Sequence, residues 1–211
     1  MQKKWMVILG LCLLTISAAH ATLITDAMDF SGSWTNIGGG WFSAGVGGLT
    51  PVEGTGFWTA TGSGGNNRGA WKLFDAVFAE EKLQVSYYVG DRDDKTVYTL
   101  QTFLFADVND DGIYTWTERI TVTDSTSRPT PDAGWQNWVD TYQITASTVT
   151  SGGDSVLGKK IGFAFLNAMP DSTYGISVDS LSIQTVPEPA TIGMLGLAAV
   201  IVIGFRRRFH L

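Results

Sequence analysis

The residues that first invite a chemical reading run from 107 to 118: Asp107-Val108-Asn109-Asp110-Asp111-Gly112-Ile113-Tyr114-Thr115-Trp116-Thr117-Glu118. They match the twelve-position calcium loop, Asp-x-Asn-x-Asp-Gly followed by five residues and Glu. A hard cation takes oxygen ligands, and this spacing supplies them in order. Asp107, Asn109 and Asp111 bring side-chain oxygens, Ile113 its backbone carbonyl, and Glu118 a bidentate carboxylate. Thr115 holds the ninth position, where a ligand often acts through water, and Gly112 permits the sharp turn. A structural Ca2+ is the one cofactor this reading predicts. The flanks, 99–106 and 118–123, read as strands rather than helices, so the same residues also read as an Asp-Asp-Gly turn between two strands. Both readings stand at the level of sequence.

Other chemistries narrow quickly. Cys12, His20 and His210 lie near the two ends of the chain, and the stretch from 22 to 190 contains neither Cys nor His. That stretch cannot run a Ser-His-Asp or Cys-His mechanism or build an ordinary zinc site. A carboxylate pair could in principle cleave a glycosidic bond, but no spacing among the acids selects one, and the chain reads as a non-enzyme. Seven tryptophans remain between 22 and 190. Indole faces stack on sugar rings and also fill cores. Trp41 and Trp58, set among glycine-rich turns, are the candidates for a glycan platform, whereas Trp138 shares strand parity with Tyr142 and Ile144 and reads as core.

The two ends of the chain decide where such chemistry would occur. Lys3 and Lys4 precede an apolar run from 5 to 16 and the small-x-small site Ala19-His20-Ala21, which predicts a secretory signal peptide over 1–21 cut between Ala21 and Thr22. At the other end stand Pro187-Glu188-Pro189, the uncharged stretch 191–205, and Arg206-Arg207-Arg208. Fifteen residues make a helix of about 22 Å, short of a bilayer core of about 30 Å. Pro189 and Ala190 can extend it on one side, and snorkelling arginines on the other. A single transmembrane helix over 190–205 with its arginines in the cytoplasm follows. These three parts, in this order, resemble the PEP-CTERM sorting signal of Gram-negative envelope proteins. The resemblance implies an exported chain, first held in the inner membrane and then released to the cell surface or extracellular matrix. It also implies an exosortase, a membrane-embedded cysteine protease acting near the motif, and a bacterium that makes exopolysaccharide.

Between these ends lie all twenty acidic residues and nine of the fourteen basic ones, a net charge of −11 over 22–190. Nucleic acid is a poor partner for such a surface; divalent cations and polysaccharides suit it better. The length of this region fits one domain with a full core.

Glycine-dense turns over 31–70 leave room only for short strands, such as 56–60. Leu83, Val85, Tyr87 and Val89 alternate with polar residues as a half-buried strand. The run 97–106 is apolar on both faces and reads as a central strand. Strands follow at 120–122, 138–146 and 160–166. In the last, 174–183, the apolar parity switches between Val178 and Leu181, which predicts a bulge at Asp179-Ser180. Only 70–82 reads as able to include a helical turn. Many short strands and almost no helix predict an all-β fold, a single sandwich over 22–185 followed by the sorting signal at 186–211. Gly134-Trp135-Gln136-Asn137-Trp138, Gly158-Lys159-Lys160-Ile161-Gly162-Phe163 and Ile176-Ser177-Val178-Asp179-Ser180-Leu181 resemble the C-terminal half of galactose-binding-like jelly rolls, a fold used by many carbohydrate-binding modules. The reading that results is an exported, membrane-tethered, jelly-roll-like sandwich. Its expected role is structural or adhesive and associated with exopolysaccharide. A carbohydrate-binding module and a carboxylate-dependent glycan-cleaving enzyme are the alternatives.

Overall fold

The computed structural model describes residues 22–29, 34–37, 41–43, 45, 48–61, 68–91, 100–120, 134–167 and 175–186. The expected signal peptide with its Ala21 cleavage residue, the sorting motif and the membrane helix lie outside them. Among the described residues, no helix is long and apolar enough to cross a membrane.

Among the described residues, ten strands form two antiparallel sheets. They are β1 (Thr22–Asp26), β2 (Thr35–Ile37), β3 (Trp41–Ser43), β4 (Phe57–Thr61), β5 (Arg68–Val77), β6 (Lys82–Asp91), β7 (Leu100–Asp107), β8 (Trp135–Gln143), β9 (Lys160–Asn167) and β10 (Gly175–Val186). The larger sheet runs β3-β4-β10-β6-β8, with β1 also paired to β10; the smaller runs β2-β5-β9-β7. This is the all-β sandwich that strand alternation predicts. Leu83, Val85, Tyr87 and Val89 all face inward and are fully buried. Trp138 and Tyr142 stand opposite Tyr87 and Leu83 on β8 and join the same core.

β10 carries the bulge. Its register against β6 shifts between Asp179 and Ser182, and Ser180 takes a φ of 51°. The extra residue flips the parity, so that Ile176 and Val178 before it and Leu181 and Ile183 after it all reach the core.

Two expectations are corrected. Residues 70–82 include no helical turn: β5 is a strand to Val77. Its apolar residues fall on both parities because it is covered on both faces, Ala70 and Phe74 facing the core and Trp71 and Leu73 the outside. β7 is not central but last in its sheet. It is apolar on both faces because the chain after Asp107 folds back over it. Ile120 N–H donates to the Leu104 carbonyl at 3.0 Å, Arg119 bridges Phe105, and Tyr114 packs on the outer face. Of the expected strand 120–122, Ile120 forms a bridge to Thr150 and the rest lies outside the described residues.

Candidate functional site

The returning segment is the calcium-type loop itself. Asp107, 3% exposed at the end of β7, accepts from the Asp111 N–H at Oδ1 and the Gly112 N–H at Oδ2, both at 3.1 Å. Asp110 and Gly112, with φ of 58° and 71°, make the left-handed corners that aim those amides inward. Asn109 Oδ1 also accepts from Asp111 N–H at 3.2 Å, while its Nδ2 donates to Asp111 Oδ2 at 2.8 Å. Asp111 Oδ1 accepts from Ile113 N–H at 2.7 Å. The short 3-10 turn Trp116–Glu118 returns Glu118 to the loop. That residue is 2% exposed, and its Oε1 and Oε2 accept from the N–H groups of Val108 and Thr115 at 3.2 and 2.9 Å.

The structure therefore brings Asp107, Asn109, Asp111 and Glu118 to one loop and turns Glu118 inward. Thr115 meets Glu118 through its backbone and Thr117 through Oγ1 at 3.2 Å, and the Ile113 side chain is exposed. Asp110 points outward to Lys159 at 2.9 Å. The donor set, all oxygen, has the chemistry a hard cation takes. The arrangement differs from a cage: among the described residues, no group of three or more His, Cys, Asp or Glu is placed to hold a metal ion. Peptide N–H groups fill the carboxylate lone pairs instead.

The same loop lays aromatic rings on the outer face of the smaller sheet. Outward positions there are Trp71 on β5, Ala164 and Leu166 on β9, and Phe103 and Phe105 on β7. Phe105 lies over Gly162, where a Cβ would come within 2.1 Å of the ring. Tyr114 meets Phe105 edge-on and Phe103 at a tilt, at centroid distances of 5.0 and 5.6 Å, and lies 6.4 Å from Trp71. Trp116 meets Phe103 edge-on at 6.0 Å. It is 45% exposed, and the Arg119 guanidinium stacks over its ring at 4.2 Å. The Tyr114 hydroxyl is buried without a hydrogen-bond partner. Burial pushes its phenol pKa upward, offset in part by Arg119 and reinforced by Glu118.

Trp58 is no glycan platform. It is 4% exposed and packs edge-on to Phe165 between the sheets, at 6.4 Å. Strand parity explains this: alternation along β4 turns position 58 toward the core and 57 and 59 toward the other face. Trp41 of β3 pairs with Thr59 of β4; its side chain lies outside the description. The aromatic face that does exist escaped sequence reading because Tyr114 and Trp116 sit inside the ligand motif. A polarity check on the outward parity of β5, β7 and β9, apolar on all three, was the signal available.

A third feature lies on the larger sheet. The bulge directs Asp179 away from the core, where it is fully buried by the loop at 48–54. Asp179 Oδ2 accepts from Val52 N–H at 2.6 Å and Oδ1 from Ser180 N–H at 2.8 Å, and Ser180 Oγ donates to Glu53 at 2.9 Å. Trp135 Nε1 fastens the same loop through the Thr50 carbonyl at 2.7 Å. Burial pushes the Asp179 pKa up to about 6, against the pull of the Val52, Ser180 and Glu53 amides; the Glu53 charge adds to the rise.

Fold and tail are two separate findings: an all-β sandwich of two antiparallel sheets and a C-terminal sorting motif. Residues 185–208 match the PEP-CTERM protein-sorting motif. Among solved structures the sandwich is similar to the CBM22-1 xylan-binding domain of Paenibacillus barcinonensis Xyn10C, with a TM-score of 0.53 and 17% identity over 81% of this chain and 97% of that one. It is also similar to the N-terminal CBM22-1-GH10 modules of Clostridium thermocellum endo-1,4-beta-D-xylanase 10B, solved with xylohexaose. There the TM-score is 0.52 at 15% identity, over 79% of this chain and 29% of that one. At such identities the likeness is one of fold. No curated protein matches the chain.

Proposed function

We propose that this protein is an exported polysaccharide-binding sandwich with a structural or adhesive role in exopolysaccharide, delivered through its C-terminal signal. The observation that carries the reading is Trp116, 45% exposed on the loop that covers the outer face of the smaller sheet, beside the half-buried rings of Tyr114 and Trp71. An exposed indole held against packed rings stacks on a pyranose ring without ordering a long side chain, so little conformational entropy opposes binding. The −11 charge of the region favours neutral or cation-bridged glycans. The test is a binding series with the purified chain against the producer's exopolysaccharide and neutral xylan, followed by tryptophan fluorescence. Trp116→Ala should weaken binding about tenfold, or about 1.4 kcal/mol, with the melting temperature unchanged. Equal affinity of variant and wild type would remove this face from the reading.

Calcium is the cation that the loop would take, with Asp107, Asn109, Asp111 and Glu118 as its side-chain ligands, Ile113 offering its carbonyl and Thr115 the ninth position. The burial of Asp107 and Glu118 supports this. Bound there, the ion would hold the loop that presents Tyr114 and Trp116. On the same footing, Pro187, Glu188, Pro189 and the arginines at 206–208 are the residues an exosortase would read, after removal of residues 1–21. Anchoring by 190–205 in the inner membrane would come before that release.

A further inference from the structure

β10 leads into the sorting motif without a spacer. Val186, its last residue, is still paired to Lys82 across β6, and Pro187 follows. The matched sorting motif begins at residue 185, so fold and signal share two residues. β1 starts at the same end of the sheet, with Thr22 paired to Gln184. From Val186 to Thr191, where the uncharged stretch begins, the chain can span at most about 18 Å. A domain of this size is about 40 Å across. A tether shorter than half that width holds the sandwich end against whatever surrounds the apolar segment.

A peptidase takes its substrate as extended chain over several residues on each side of the cut. Upstream of Val186 that chain is unavailable: β10 is paired to β6 at nine positions and buries Leu181 and Ile183. The exit is flanked by the turn Glu80-Glu81-Lys82. Its backbone is fixed by the exchanged Glu81–Ile144 hydrogen bonds of 3.1 and 2.9 Å. Among the described residues, neither Glu80 nor Glu81 takes part in an ion pair. Anionic headgroups offer these two carboxylates no complement; a cationic surface on a membrane-embedded protein does.

We propose that the end of the sandwich around Val186 and the Glu80-Glu81 turn is the docking surface for the membrane-embedded processing enzyme, which reads the motif while seated on the folded domain and cuts beyond Val186. The proposal rests on the sorting reading of the tail. The test uses the full-length precursor in membranes that contain the enzyme, with conversion timed on gels and the product's C-terminus read by mass spectrometry. The product should retain Val186, and the E80K/E81K double variant should convert at least fivefold more slowly. Proteinase K resistance of the sandwich in the same membranes should match wild type, with E80Q/E81Q slowed to a lesser degree. A product ending before Val186, or a folded charge-reversed precursor converted at the wild-type rate or faster, overturns the docking surface. Alanines at 187–189 separate the two ideas. Normal conversion of that variant refutes the sorting reading itself. Accumulation of it beside normal conversion of E80K/E81K refutes docking alone.

Discussion

Replacing Asp179 by Asn should change how stability depends on pH. The carboxyl is fully buried beneath the 48–54 loop, and its pKa stands at about 6 against an ordinary 3.8, chiefly through desolvation. The folded state therefore binds the Asp179 proton more tightly than the unfolded chain does. The stability this contributes is fully present below about pH 3.8 and is lost as pH rises through about 6. A pKa rise of this size corresponds to about 3 kcal/mol, an upper figure for a group that also accepts from the Val52 and Ser180 N–H groups. Most carboxylates act in the opposite direction and weaken a fold in acid, so the comparison must be differential. Urea melts of wild type and Asp179→Asn at half-unit steps from pH 4 to 7.5 provide it. The stability of wild type minus that of the variant should rise by about 2–3 kcal/mol from pH 7.5 to 4, with its midpoint between 4 and 6. The sign of the offset at pH 7.5 is immaterial, because the Asn amide would face the Val52 N–H donor while relieving a buried charge. A difference that stays flat across the range would refute the burial argument.

Other consequences can be measured in the same material. Tyr114→Phe removes a buried hydroxyl that has no partner and should stabilise the fold by about 1 kcal/mol, seen as a raised urea midpoint at unchanged slope. Calcium at millimolar concentration should raise the melting temperature more than magnesium, whose shell demands stricter octahedral geometry. Asp107→Ala should abolish that rise while Asp110→Asn, altering a side chain that points to Lys159, should keep it; identical melting curves with and without calcium would leave the loop an amide-filled turn. Gly162→Ala drives a Cβ into the Phe105 ring and should cost about 1–3 kcal/mol, with near-ultraviolet circular dichroism reporting the disturbed aromatic face.

Where one face of a strand meets water, alternation was readable. β6 and β8 follow it residue by residue, and the parity switch in β10 foretold the bulge at Asp179-Ser180. Alternation fails where both faces are covered. β5 and β7 are apolar on both parities because the loop after Asp107 roofs the outer face of their sheet, and that covering is a tertiary fact no local window contains. The twelve-residue motif was legible as a loop with Glu118 closing it. What the motif concealed is that two of its non-ligand positions, Tyr114 and Trp116, are spent on an aromatic surface. Trp58 shows the converse, since glycine-rich neighbours suggest exposure while strand register decides it.

The position of β10 also bears on the order in which the molecule can be made. It is the last strand in sequence, yet β1, β4 and β6 all pair with it. Until residues 175–186 have crossed the membrane, those three earlier strands carry unpaired backbone edges and the larger sheet has no middle. Pairings this distant in sequence form slowly, and open edges in the meantime invite association with other chains. Under the proposed anchoring by the tail, a chain held at the bilayer during that interval would complete its sheet while kept apart from its own copies. Retention before release, as proposed, would give the exported chain time to mature.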